Sequence, residues 1–173
     1  TGVSARARSM VYNPAIVTTA PATVFDLVRP EYQGQLGIAP NNASFQSFVT
    51  AMRMTEGDAT TEAWLEGIVA NGAQTLENNV SIVNAVNDGT LGIGLVNHYY
   101  WFQVAKEQGG AENMKATQAF TSPGDPGSLV NVAAVGLTAG NGNNTAAEQL
   151  IAFLLSADSQ TYFATETFEY PLL

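Results

Sequence analysis

The chain has 173 residues, 46% of them hydrophobic, enough for one domain, or one domain plus part of another, around a sizeable core. A formal net charge of -9 with only six Lys and Arg argues against nucleic acid as a partner, because phosphate backbones are held by clustered basic side chains. Cysteine is absent, which excludes thiol catalysis, iron–sulfur clusters, zinc ribbons and disulfides together; no apolar run approaches the roughly 20 residues that span a bilayer, so no direct membrane insertion is expected.

The opening segment, "TGVSARARSMVYNP", begins without Met and already reads as a strand with Val3, Met10, Val11 and Tyr12 at its apolar positions. A start of this kind looks like a cut into something longer or a processed terminus. Pro14, Pro21, Pro30 and Gly34 then punctuate a stretch of turns and short helical pieces. "LGIA" is a short apolar strand, "PNN" breaks it, and a helix is predicted from Ser44 to Glu56 with Phe45, Phe48, Val49 and Met52 on one face. A second helix fits "TTEAWLEGIVANG", capped by Thr60 or Thr61 and stopped by Gly72, and a third runs from Asn79 to Asn87. "LGIGLVN" is a buried strand by its apolar continuity, and "HYYWFQVAKEQGG" continues as a helix. After the turn-rich "TSPGDPGS", "LVNVAAVGLT" reads as another buried strand, "AGNGNN" as a loop, and Thr145–Ser156 and Asp158–Thr165 as helices. Strand alternating with helix favours an α/β sheet carrying helices on its faces.

Most enzyme chemistries lack their residues. His98 is the only histidine, no GxSxG elbow, Walker loop or HExxH helix occurs, and "GIGLVN" lacks the third glycine of a dinucleotide loop. Three features remain. Tyr99 and Tyr100 follow the buried strand, at the end where open α/β sheets bind ligands. An adjacent aromatic pair can simply pack in the core. A hard trivalent cation gives the hydroxyls a use, because a bound ion holds a phenol as phenolate, and two phenolates leave Fe3+ with one positive charge for a carboxylate or bound anion to offset. The second feature is the loop "APNNASFQ", where a helix N-terminus with Asn41, Asn42 and Ser44 favours an anion; plain N-capping by Asn42 or Ser44 fits equally. The third is "SARAR", where Arg6 and Arg8 share one strand face and a guanidinium can hold an oxyanion bidentately. His98 by itself makes no metal site.

Taken together, "VSARARSMVYNP", "APNNASFQSFVTAMR", "AWLEGI", "NNVSIVNAVNDGTLGIGLVNHYYW", "GDPGSLVNVAAVGL" and "ETFEYPLL" resemble, in the same order, the periplasmic ferric-iron-binding proteins of bacterial ABC importers. The most specific element is the Asn-x-Tyr-Tyr segment. The resemblance implies an α/β type II periplasmic-binding-protein lobe, a mixed sheet with helices on both faces plus crossover strands. Residues 1–12 would be a crossover strand, 13–128 the carboxy-terminal-type lobe, and 129–173 a return crossover with helices of the other lobe. It implies a periplasmic, non-enzymatic role in which Tyr99 and Tyr100 hold Fe3+. Carbonate or phosphate would serve as synergistic anion on Asn42, Ala43 and Ser44, with Asn79, Asn97 and Arg6 also facing it. An ABC permease would be the membrane partner. Ser44 stands where some members carry a third tyrosine, and the His and Glu that others add come from an amino-terminal lobe whose first part lies outside this sequence. The resemblance therefore implies that the chain by itself holds iron weakly or not at all, and that the segment from about Leu129 onward exposes apolar surface unless the missing amino-terminal lobe, a complementing fragment, self-association or altered docking covers it. The competing readings are a related solute-binding protein for an oxyanion or small organic ligand, and an enzyme built on His98.

Overall fold

The computed structural model describes residues 1–141 and 144–173, and its contacts divide the chain into two units, Ala7–Leu129 and Thr1–Arg6 with Val130–Leu173. Strand β1 (Gly2–Tyr12) passes from one to the other. In its second half Met10 and Val11 are both fully buried, so consecutive side chains meet a covering layer on each face.

The larger unit adds β2 (Leu36–Ile38), α1 (Ala43–Glu56), α2 (Asp58–Ala70), β3 (Gln74–Thr75), α3 (Asn79–Asp88), β4 (Ile93–Asn97), α4 (Tyr99–Glu107) and β5 (Thr117–Ala119). The strand order is β3-β2-β4-β1-β5. β2 lies parallel to β3 and β4, whereas β1 runs antiparallel to β4 and β5, with a register that sets Arg8 opposite Asn97 and Tyr12 opposite Ile93. The sheet is therefore mixed. Ile93 and Leu95 of β4 join Met10, Leu36 and Ile38 beneath Phe45, Phe48 and Met52 of α1 and Trp64 and Ile68 of α2. The intervening Val96 joins Val11 beneath Ile82, Val83 and Val86 of α3 and Val104 of α4. An α/β sheet with helices on both faces results, as the apolar continuity of "LGIGLVN" predicts. Gly94 permits the close approach of α3, for a Cβ there would lie 2.1 Å from Cγ2 of Ile82.

Two local expectations change, and two short strands are added. Helix α2 starts at Asp58 and not at a Thr60 or Thr61 cap: Gly57, at φ 85°, turns the chain directly out of α1, and the Thr61 hydroxyl bonds back to the Gly57 carbonyl at 2.9 Å. β3 and β5 are strands of two and three residues that carry no apolar alternation. The segment read as a buried strand at 129–138 does form β6 (Val130–Ala134), paired with β1, but its side chains stand mostly exposed. Apolar continuity marks a strand suited to burial without supplying the layer that buries it.

β6 belongs to the smaller unit, with α5 (Thr145–Leu154), α6 (Ala157–Thr165) and β7 (Tyr170–Pro171), the last antiparallel to β1. Of the loop expected at 139–144, residues 139–141 form a short 3-10 turn, and 142 and 143 lie outside the described residues. Gln160 is the internal tie: its Nε2 donates to the carbonyls of Val3 and Leu154 and its Oε1 accepts from the Leu172 N–H. α5 buries no residue, and Val130, Val132, Leu150, Phe153 and Leu173 are exposed.

Candidate functional site

The expected site residues of the larger unit lie where β2 and β4 end and α1, α3 and α4 begin. After β2 the chain turns through an Asn42 N–H to Ala39 carbonyl bond, and Asn42 caps α1: its Oδ1 accepts from the Ser44 N–H at 3.0 Å and from the Ser44 hydroxyl at 2.7 Å. Ala43 is the first residue of α1. Asn79, the first residue of α3, is 1% exposed and donates from Nδ2 to Ser44 Oγ at 3.4 Å; its Oδ1 is buried with no hydrogen-bond partner among the described residues. Ser44 is thus a hub. Its proton goes to Asn42, and its oxygen accepts from Asn79 and from Arg8 Nη1, the latter at 3.3 Å.

Arg8 is the one charge at the centre of this group. It is 2% exposed, its Nη2 donates to the Leu95 carbonyl at 3.1 Å, and the guanidinium lies 5.7 and 5.4 Å from the ring centroids of Phe45 and Phe48. Its Nε is buried without a partner, and among the described residues no carboxylate forms an ion pair with Arg8, unlike Arg29 with Asp26 and Glu31 or Arg53 with Asp58. Burial pulls the Arg8 pKa down to about 9, opposed by electrostatic attraction from Tyr99. The group still carries its proton at neutral pH. A buried guanidinium without a counter-ion, flanked by polar side chains, can hold an anion by charge-assisted hydrogen bonds.

Tyr99 and Tyr100 open α4 and are half-buried. Neighbouring helical side chains ordinarily diverge, yet these rings converge, with centroids 4.3 Å apart and planes inclined at 35°. Among the described residues no group of three or more His, Asp or Glu gathers that could hold a metal. Asn97, buried at the end of β4, faces Arg8 across the ladder. Arg6 is half-buried and belongs to the smaller unit. The contacts to Ser44 and to the aromatic rings are made by Arg8, whereas the resemblance assigns the anion to Arg6 and passes over Arg8. The alternation in "SARAR" was the available signal; the register opposite Asn97, which buries Arg8, was not readable from it. His98 is buried and accepts the Ala7 N–H at Nδ1. No described helix is long and apolar enough to cross a membrane.

Comparison with known proteins adds a context. A family described as bacterial extracellular solute-binding protein matches residues 1–173. An Fe(3+)-binding periplasmic protein of Serratia marcescens is 31% identical over 172 residues, 98% of this chain and 50% of that one. Iron-bound HitA from Pseudomonas aeruginosa superposes with a TM-score of 0.89 at 31% identity, covering 99% of this chain and 55% of the other. A Trichodesmium protein in complex with iron and citrate superposes with a TM-score of 0.82 at 27% identity, covering 99% and 56%. The chain spans about half the length of the curated relatives it matches.

Proposed function

The chain belongs to the bacterial extracellular solute-binding protein family, and from that premise we propose that it captures ferric iron outside the cytoplasm, as a component of an ABC importer. Tyr99 and Tyr100 hold Fe3+ as phenolates. Arg8, Ser44 and Asn79, with the Ala43 N–H at the start of α1, hold a synergistic anion, carbonate or phosphate, while Asn42 sets the Ser44 hydroxyl and Asn97 flanks the group. The observation that carries this reading is the buried Arg8, bonded to Ser44, electrostatically coupled to Tyr99 and without a carboxylate. Charge supports it: two phenolates leave a trivalent ion with one positive charge, Arg8 adds a second, and a dianion closes the balance. The component binds and hands over its cargo to a permease and catalyses nothing, which agrees with the structural use of His98. The exposed apolar side chains of β6 and α5 offer a seat for an amino-terminal lobe of the kind the longer relatives have room for, in the same polypeptide or as a complementing fragment.

The test is a titration of full-length protein with ferric salt in the presence of bicarbonate or phosphate. Phenolate ligation gives a visible charge-transfer band that Tyr99→Phe and Tyr100→Phe each diminish. A colourless wild-type protein that still binds the anion through Arg8 would favour the second reading, a receptor for an oxyanion or small organic acid. That reading draws on the same cradle, whose donors are directed at an anion whether or not a metal accompanies it.

A further inference from the structure

We infer that His98 is a positioning residue that registers the tyrosine pair against Arg8; the inference rests on the metal-site reading above. The β1–β4 ladder runs from Tyr12 opposite Ile93 to Arg8 opposite Asn97, so the next pair along it is Ala7 and His98. There the chain changes from strand to helix. His98 already has helical dihedrals, φ -54° and ψ -40°. Its N–H still donates to the Ala7 carbonyl at 3.0 Å, as a ladder residue would. Its own carbonyl has swung away with the helix and is taken by the Trp101 N–H at 3.3 Å and by Gln118 Nε2 at 2.8 Å. Ala7, buried in mid-strand, would then have an N–H with no acceptor, which a fold rarely tolerates. Imidazole Nδ1 replaces the missing carbonyl and accepts that N–H at 3.1 Å.

The side chain therefore extends the ladder by one pair beyond the strand, while the helix it begins is left without a side-chain cap. Both clamped residues are chain neighbours of site residues, Ala7 of Arg8 and His98 of Tyr99. His98 also stands edge-on to the Tyr99 ring, with centroids 5.8 Å apart. Holding Ala7 and His98 together thus fixes the separation of guanidinium and phenol. The imidazole touches neither metal nor anion in this role; it acts through the backbone.

Substitutions at His98 in the full-length protein separate this role from simple packing. Asn places Oδ1 at the same number of bonds from the main chain as Nδ1 and preserves the acceptor, Gln carries it one bond too far, and Phe keeps the ring without it. His98→Asn is expected to keep the slow hydrogen exchange of the Ala7 amide, the ferric charge-transfer band and iron affinity within about threefold of wild type. His98→Phe and His98→Gln are expected to lose the amide protection, shift the band and weaken iron binding about 10- to 100-fold, the range for residues that orient ligands from behind. Asn71→Ala, which removes side-chain bonds to the carbonyls of Leu27 and Arg29, controls for lost stability and should leave band and affinity unchanged. The inference is overturned if His98→Phe binds iron with the wild-type band and affinity, if His98→Asn falls as far as His98→Phe, or if Asn71→Ala falls as far as either. A wild-type band that ignores Tyr99→Phe and Tyr100→Phe refutes the metal reading instead, and is measured separately.

Discussion

Replacing Arg8 by Met should separate the cost of a buried guanidinium from its use. Lowering the pKa from its ordinary value to about 9 corresponds to about 5 kcal/mol of folding free energy withheld by the charged form, at about 1.4 kcal/mol per pKa unit. Against this stand the contacts with Phe45 and Phe48, about 1 kcal/mol each, and the charge-assisted bonds to Ser44 and the Leu95 carbonyl, about 1.5 kcal/mol each. These terms nearly cancel. Arg8→Met, which keeps an apolar stem of similar length, is therefore expected to change stability in anion-free buffer by less than about 2 kcal/mol, whereas breaking a partnered buried ion pair costs about 3–5 kcal/mol. The sign with pH follows from the depressed folded-state pKa: the penalty is complete below about pH 9 and is relieved only as pH rises through that value, so the difference between variant and wild type should be flat from about pH 6 to 8. Adding bicarbonate or phosphate at about 100 times its dissociation constant should stabilise the wild type by about 2.7 kcal/mol and leave Arg8→Met unmoved. Thermal and urea unfolding with and without anion measure all of this. A loss above about 3 kcal/mol without anion would make Arg8 a structural ion, and an equal anion response in both proteins would remove it from the anion site.

Ser44→Ala leaves the Asn42 cap able to accept the residue-44 N–H but strips Arg8 and Asn79 of a shared acceptor. It is expected to cost about 1–2 kcal/mol in urea unfolding and to weaken the anion-dependent stabilisation about tenfold in apparent affinity. Gly94→Ala drives a methyl into Ile82 and should cost about 1–3 kcal/mol. The double variant Gly94→Ala with Ile82→Ala should be more stable than the sum of the two losses, because each change makes room for the other; strict additivity in a double-mutant cycle would show that α3 does not pack on β4 in this way.

The sequence disclosed the parts of the fold whose pattern is local. Apolar continuity in "LGIGLVN" and the helical spacing of Phe45, Phe48 and Met52 were enough to place β4 and α1, since each element carries its own burial signature. What depended on a distant partner was hidden. β3 and β5 become strands because β2 and β1 offer them an edge, and their own two or three residues say nothing about it. Arg6 and Arg8 look equivalent as letters two apart on a strand; the ladder that sets Arg8 opposite Asn97, beneath two phenylalanine rings, makes one a buried site residue and leaves the other half-exposed. The tyrosine pair stood out through its place at the end of a strand, whereas the convergence of the rings depends on how α4 starts. His98 offered the least: a lone imidazole in sequence gives no sign that it completes a ladder for residue 7.

The charge of the chain and the charge of the site have opposite signs, and this bears on how cargo and anion arrive. A net charge of -9 repels a free dianion once it comes within the screening length of about 8 Å at physiological salt. In the proposed site Arg8, with a single positive charge, would therefore hold an anion weakly unless a cation shared it. On the proposed reading a trivalent ion would meet the complementary difficulty, since two phenols would have to ionise to receive it and the anion would then offset the charge that remains. Each ligand would remove a cost the other would meet, so the proposed site requires the two affinities to be coupled, and coupling of binding free energies is reciprocal. If carbonate raises the affinity for Ga3+, a redox-inert stand-in for Fe3+, by some factor, Ga3+ must raise the affinity for carbonate by the same factor, expected at about 100-fold or more from a coupling of about 3 kcal/mol. Calorimetric titrations in both orders test the scale of this coupling. A factor near one would mean that metal and anion occupy separate places, and that the cradle around Arg8 serves a ligand of its own.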